Sequence, residues 1–404
     1  MRHRPVILFY CQHSLGMGHL VRSFALVRAL AQDFDVVFLN GGRLPGHTTP
    51  PEGIRMVNLP PLGMDTDSQL FSQDPHYTVE EAKAERRREI IACFAHLDPQ
   101  VIVIESFPFG RKKFADEILP LLDHAHRRLP GRPLLLTSLR DILVGGRRDQ
   151  QHHDNRAAAL VNRYFDGVLV HADPTFARME ESFHVDEPLQ VPVHYTGFVA
   201  PSRAAVTETR REQRVIVSAG GGMVGEPLFR AALVAQRILW TERQLPMTIV
   251  AGPFLPEAAW QALQSSAAGC DGLMLKRSVP DLGAEMRTVT MSISQCGYNT
   301  AMDIVSSGVA ALVVPYNEGR EDEQMNRARR LEQLGVLRVL EPGRLDGQIL
   351  ASELRRLAGF RPNPAGLDLN GAANTTMLIK NLLGTSPHNR GVPAPARQER
   401  VAPR

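Results

Sequence analysis

"MSISQCGYNTAMDIVSSGVAALVVPYNEGREDEQMNRARRLEQLG", residues 291–335, reads as a strand, a "CGYNT" turn, an amphipathic helix ending at Gly308, a strand ending at Pro315, an acidic loop and a long helix. A strand that returns to a second strand through a helix is a unit of a parallel sheet. Glycine at the first strand-to-helix junction lets the backbone turn tightly. It also lets a ligand approach the amides of the helix N-terminus, where the partial positive charge suits a phosphate.

The same alternation extends outward in both directions. "RVIVSA", "MTIVAG", "LMLK", "VTMSIS", "ALVVP" and "VLRVL" are interleaved with helical patterns in the second half; "VILFY", "DVVFL", "IRMVNL", "VIVIE", "LLLTSL" and "GVLVHA" do the same in the first. Short buried strands separated by helices predict an α/β fold, a parallel sheet with helices on both faces, formed twice. Between the halves, "VHYTGFVAPSRAAVTETRREQ" loses periodicity and reads as a linker. The expected division is a first Rossmann-like domain over 1–198, a second over 199–384, and a disordered Pro-, Gly- and Arg-rich tail over 385–404.

Length and charge agree with two soluble domains. A chain of 404 residues with 43% hydrophobic residues can fill more than one core. The net charge of +3 is carried by the last twenty residues, with four Arg against one Glu, so the body is formally neutral. That argues against nucleic acid as a partner, which needs a clustered basic face. No apolar run reaches the ~20 residues of a membrane span and no signal-peptide core precedes the first strand, so a cytoplasmic protein is expected. "GRKKFADEILPLLDHAHRRLP" could make peripheral contact with an anionic membrane, although a solvated helix face is the simpler reading. The four cysteines, Cys11, Cys93, Cys270 and Cys296, form no CxxC pair and read as ordinary buried thiols.

Each half repeats a strand that ends in glycines and leads into a helix: "VILFYCQHSLGMGHLVRS", with Gly16 and Gly18, and "RVIVSAGGGMVGEPLFRAAL", with Gly220, Gly221 and Gly222. The two loops are expected to face one another across a cleft. Neither contains GxxxxGK[ST], and neither fits the dinucleotide fingerprint with its acidic residue about 20 positions on. His19 opens the first helix. A helix N-terminus lowers the pKa of an imidazole and keeps it neutral, as a general base requires, while a capping or packed histidine would look the same in sequence.

Residues 291–335, with the two glycine loops and "HYTGF", resemble glycosyltransferases of the GT-B architecture, two Rossmann-like domains facing across a cleft. The closest likeness is to family 28 and the UDP-glycosyltransferase group, which includes the peptidoglycan UDP-GlcNAc transferase. The resemblance implies that the amides of the Gly297 turn hold a diphosphate with Asn299 and Thr300 able to donate. Asp303, where the family has Glu, would accept from ribose hydroxyls. Glu323 and Gln324 would bond the sugar, and Ser218 with Gly220, Gly221 and Gly222 would close over the phosphates. It places the acceptor on the first domain and implies His19 as the base, with Glu105 of "VIVIESFPFG" orienting it and Asp141 of "TSLRDIL" a second candidate. Glu105 could equally bind acceptor or cap a turn.

The implied reaction is inverting transfer of a sugar from a nucleotide-sugar co-substrate, a UDP-sugar, to an unknown acceptor hydroxyl. No other cofactor and no metal are expected, because no DxD-like pair stands beside the Gly297 turn. "GMGHLVR", with Arg22 one turn after His19, also resembles UDP-sugar hydrolases of pseudaminic acid synthesis, in which water takes the acceptor's place and Arg22 would reach an acidic substrate. A non-catalytic nucleotide-sugar binding protein is the third reading.

Overall fold

In the computed structural model, described over residues 4–13, 18–44, 48–65, 69–143, 145, 149–200, 210–316, 322–363 and 366–385, the apolar runs pair as parallel strands in two sheets. The first contains β1 (Val6–Cys11), β2 (Asp35–Asn40), β3 (Arg55–Asn58), β6 (Val101–Glu105), β7 (Leu134–Leu139), β8 (Gly167–Val170) and β9 (Val193–Tyr195), in the order β3-β2-β1-β6-β7-β8-β9. A small antiparallel hairpin of β4 (Leu62–Met64) and β5 (Leu70–Ser72) stands apart. The second sheet contains β10 (Glu212–Ser218), β11 (Met247–Val250), β12 (Leu273–Lys276), β13 (Val289–Ser294), β14 (Ala310–Val313) and β15 (Arg338–Val339), in the order β12-β11-β10-β13-β14-β15.

The helices of the first half are α1 (Gly18–Leu30), α2 (Val79–Leu97), α3 (Ala115–Arg127) and α4 (Gln150–Tyr164). Those that follow are α5 (Glu226–Arg243), α6 (Glu257–Ala267), α7 (Leu282–Thr288), α8 (Tyr298–Ser307), α9 (Glu323–Gln333), α10 (Gly347–Leu357) and α11 (Gly371–Thr385). They cover both faces of each sheet. Along β1 the alternation is visible residue by residue: Leu8 and Tyr10 enter one core while Ile7, Phe9 and Cys11 enter the other. The core containing Leu8 continues through Phe198 into Tyr298, Ala301 and Ile304 of the second half, so the two halves share buried apolar surface.

Each sheet reverses its strand order beside its first strand, between β1 and β6 and between β10 and β13. Such a point leaves a crevice beyond the carboxyl ends of the strands, where α/β proteins bind ligands. All four crevice loops carry residues singled out from the sequence: His19 after β1, Glu105 ending β6, Ser218 and the glycines after β10, and the Gly297 turn after β13.

One element departs from the linear division at residue 198. α11, which lies at the end of the stretch assigned to the second domain, packs on α1 of the first, with Ile379 buried among Leu20, Phe24 and Val27 and Lys380 paired with Asp33. Its start is bonded to the interdomain segment. Phe198 N donates to Asp368 O (2.7 Å), Gly371 N donates to Phe198 O (2.9 Å), and Asn374 Nδ2 donates to Thr196 O (2.8 Å). The expected linker also begins later than read, because Val193–Tyr195 of "VHYTGF" adds β9 to the edge of the first sheet. Residues 386–404, expected to be disordered, lie outside the described residues.

Candidate active site

The N-termini of α1 and α8 meet across the cleft. Asn299 Nδ2 donates to Gly18 O (3.1 Å), and a Cβ built on Gly220 would stand 4.0 Å from Thr300 Oγ1. Thus Gly18, Asn299, Thr300 and Gly220 are neighbours. The expectation that the two glycine loops face each other falls partly on residues 14–17, outside the described residues; at its described end Gly18, which opens α1, meets the Gly297 turn, and Gly220 flanks that turn. Gly16 lies outside the described residues.

His19 and Glu105 are brought together by adjacent parallel strands. β6 pairs with β1, so the carboxyl end of β6 lies below the start of α1. His19 Nδ1 is 2.6 Å from Glu105 Oε1, with His19 21% exposed and Glu105 fully buried. Burial pushes Glu105 up, but His19 and the guanidinium groups of Arg22 and Arg111 outweigh it and hold the carboxyl well below its usual range. An ionised carboxylate only accepts, so Nδ1 carries the ring proton and Nε2 is left as the basic nitrogen. The His19 pKa is pushed down to about 3, chiefly by burial with Arg111 adding, while Glu105 pulls the other way. The imidazole is therefore neutral at physiological pH.

Arg22 does not reach into the cleft. It is 2% exposed, its Nη2 bonds Glu105, and its guanidinium lies 5.4 Å from the Tyr298 ring centroid. That removes the feature on which the hydrolase resemblance drew. Asp141 is likewise not beside His19. Its carboxylate takes a bidentate pair from Arg327 Nε and Nη2, both at 2.7 Å, with both side chains fully buried.

The second domain supplies a turn that opens a helix. Gly297 is the N-cap of α8, and a Cβ built on it would meet nothing within 4 Å, so the space before the helix N-terminus is open. Gly220 and Gly222 take φ of 56° and 92°, and a Cβ on Gly222 would lie 2.2 Å from Ala251 O, so only glycine fits there. Ser218 and Ser294 are register partners at the carboxyl ends of β10 and β13. Their hydroxyls are buried without a hydrogen-bond partner among the described residues. Ser294 went unremarked in the sequence, where it continues the alternation of "VTMSIS"; only its orphaned hydroxyl at the crevice distinguishes it.

The acidic and amide residues that open α9 are already engaged. Glu323 Oε1 accepts from Arg140 Nη1 of the first domain (2.7 Å), and Gln324 Oε1 accepts from Cys296 N (3.0 Å) and Tyr316 N (3.2 Å). The Gln324 amide nitrogen is the part of that side chain not used in these bonds. Asp303, 9% exposed, faces Asp281 and the N-terminus of α7. Its carboxyl is pushed up to about 7 by burial, with Asp281 adding and Arg287 opposing.

Residues 217–380 match the glycosyltransferase family 28 C-terminal domain. The UDP-N-acetylglucosamine--N-acetylmuramyl-(pentapeptide) pyrophosphoryl-undecaprenol N-acetylglucosamine transferase of Dichelobacter nodosus is 22% identical over 353 residues, 84% of this chain and 86% of that protein. Among solved structures, the calicheamicin glycosyltransferase CalG4 superposes with a TM-score of 0.62 at 16% identity, over 96% of this chain and 100% of that one. UGT2 of Phytolacca americana, in complex with UDP-2fluoro-glucose and pterostilbene, gives 0.57 at 14% identity over 93% of each chain. The chain is a glycosyltransferase of GT-B fold, resembling family 28 and the UDP-glycosyltransferases.

Proposed function

We propose that this protein transfers a sugar from a UDP-sugar to an acceptor hydroxyl with inversion, using His19 as general base and Glu105 to orient it. The observation that carries the reading is the 2.6 Å contact from His19 Nδ1 to Glu105 Oε1, made beside the Gly297 turn. It leaves Nε2 to take the proton as the acceptor oxygen attacks the anomeric carbon and the bond from that carbon to the diphosphate breaks. Charge then develops on the leaving diphosphate, which in this reading the amides of the first turn of α8 stabilise, with Ser218, Ser294 and Thr300 as hydroxyl donors. Glu105 stabilises the imidazolium that forms. The donor assignment draws on the relatives whose names specify UDP-sugars, and the acceptor falls to the first domain. In this reading Asp303 accepts from the ribose, and Glu323 and the Gln324 amide address the sugar.

Among the described residues, no group of three or more His, Cys, Asp or Glu is placed to hold a metal ion. In this reading the helix N-terminus meets the diphosphate charge, so UDP should bind equally with and without EDTA in calorimetry; a strict requirement for Mg²⁺ would overturn that part. His19→Ala should retain UDP affinity while acceptor-dependent UDP release falls by about 10²–10⁴, the usual worth of a positioned base. Glu105→Gln should lose less. Near wild-type turnover in His19→Ala at saturating substrates would defeat the mechanism, and rapid UDP release from UDP-sugar without acceptor would identify water as the acceptor.

A further inference from the structure

The charges around His19 do not stop at Glu105. Glu105 Oε1 accepts from three donors, His19 Nδ1 (2.6 Å), Ser106 Oγ (2.8 Å) and Arg22 Nη2, while Glu105 Oε2 has no hydrogen-bond partner among the described residues and Arg111 Nη2 stands 3.9 Å from it. Arg22 in turn lies over the ring of Tyr298, the residue after Gly297. Tyr298 is itself fixed. It is 5% exposed, its hydroxyl donates to His171 O (3.0 Å) and accepts from Val199 N (2.9 Å), and Arg327 approaches the same ring at 5.9 Å.

We propose that Arg22 and Tyr298 are positioning residues that tie the Gly297 turn to the His19–Glu105 pair. Tyr298 holds the guanidinium, the guanidinium holds Glu105 Oε1, and Glu105 holds the Nδ1–H tautomer of His19. The link rests on the reading of His19 as the base, and it goes beyond that reading in making a second-domain residue part of the base's support. A cation in low dielectric over an aromatic face is held more firmly than in water, because the competing hydration is gone. Without Arg22 the Glu105 carboxylate loses its closest cation and one of its three donors. His19 loses a nearby positive charge, so it should accept a proton at higher pH.

The test uses the full chain labelled with ¹⁵N in its histidine rings, with the His19 signals identified by their absence in His19→Gln. The groups around the pair that could also move these signals are Arg111, His13, Cys11 and His171, all retained in every variant. Wild type should keep His19 neutral with the proton on Nδ1 between about pH 5 and 8. Arg22→Met and Tyr298→Leu should both raise the pH of half-protonation and mix the two tautomers, the second acting through Arg22. Arg22→Lys, which keeps the charge, and Tyr298→Phe, which keeps the ring, should stay close to wild type.

Folded Arg22→Met and Tyr298→Leu proteins whose His19 titrates as in wild type would overturn the link. Should either fail to fold, Arg22→Lys and Tyr298→Phe still decide: the tautomer mixing expected of a lost link must be absent from both, and its presence in Tyr298→Phe would place the effect in the hydroxyl and refute the role of the ring. The readout is ring ionisation, so failure here leaves the turnover test of His19→Ala standing. Failure of that test would leave this link measurable.

Discussion

Asp303 is held in a setting that suits its neutral form. Burial comes first and the neighbouring Asp281 second, and together they push the carboxyl up to about 7 from an ordinary value near 4. A carboxyl whose pKa is raised on folding binds more protons folded than unfolded, so it costs stability as pH rises from about 4 to about 7, with the penalty levelling off above. Asp303→Asn removes the charge and keeps the shape. It should raise the melting temperature, by more at pH 8 than at pH 5, and an equal gain at both would show that ionisation is not the cause. If the carboxylate accepts from ribose, the same variant should weaken UDP binding, so stability and affinity would move in opposite directions, as they often do where a group is kept for function. The position of Asp303 one turn into α8 was legible in "CGYNTAMD". Asp281, 22 residues earlier, was not, because nothing in spacing announces which loop caps a neighbouring helix.

The first turn of α9 supports the Gly297 turn from behind. Gln324 Oε1 accepts from Cys296 N and Tyr316 N, and Arg327 Nη1 donates to Cys296 O (2.9 Å), so one helix face holds Cys296 at both its polar groups. Gln324→Ala removes the acceptor that Cys296 N and Tyr316 N share, and a buried amide that loses its acceptor costs roughly 1–3 kcal/mol. The substitution should lower stability and weaken UDP, and weaken UDP-sugar further because the amide that addresses the sugar goes with it, whereas Gln324→Glu keeps the acceptor and should retain most of the stability. A Gln324→Ala protein with wild-type stability and a loss confined to UDP-sugar would assign the side chain to the sugar alone. The main strands were legible because buried parallel strands are near-continuous apolar runs. β4 and β5 are three residues each, too short to show a period, and β9 hides at the head of a polar linker. The docking of α11 on α1 was equally hidden: an apolar stripe tells that a helix is covered, and the covering element lies hundreds of residues away.

Among the described residues, three ion pairs join α9 to the first half, and two of them, from adjacent residues, are the more buried; the third, Arg330 with Glu181, is part-exposed. Adjacent Arg140 and Asp141, after β7, meet Glu323 and Arg327, one turn apart on α9. In the inner pair burial pushes Asp141 up, and Arg327 more than compensates, keeping it ionised. Removing one partner leaves the other charge buried, which typically costs about 3–5 kcal/mol, while removing both costs far less. Asp141→Asn and Arg327→Met should each lower stability and raise the radius of gyration in solution scattering, and the double variant should lie closer to wild type than either. Additive losses would mean the pair is not coupled. No sequence pattern joins residues 186 positions apart, which is why Asp141 first looked like a partner for His19. The seam between Phe198 and Gly371 has a mechanical meaning of its own. The polypeptide leaves the first sheet and comes back to it side by side, Val199 bridged to Asn370, so both threads bend at one line. A strap doubled in this way folds like a door and resists wringing. Should the two halves part, a single arc is the motion this seam allows, and Asn299 would leave Gly18 along it.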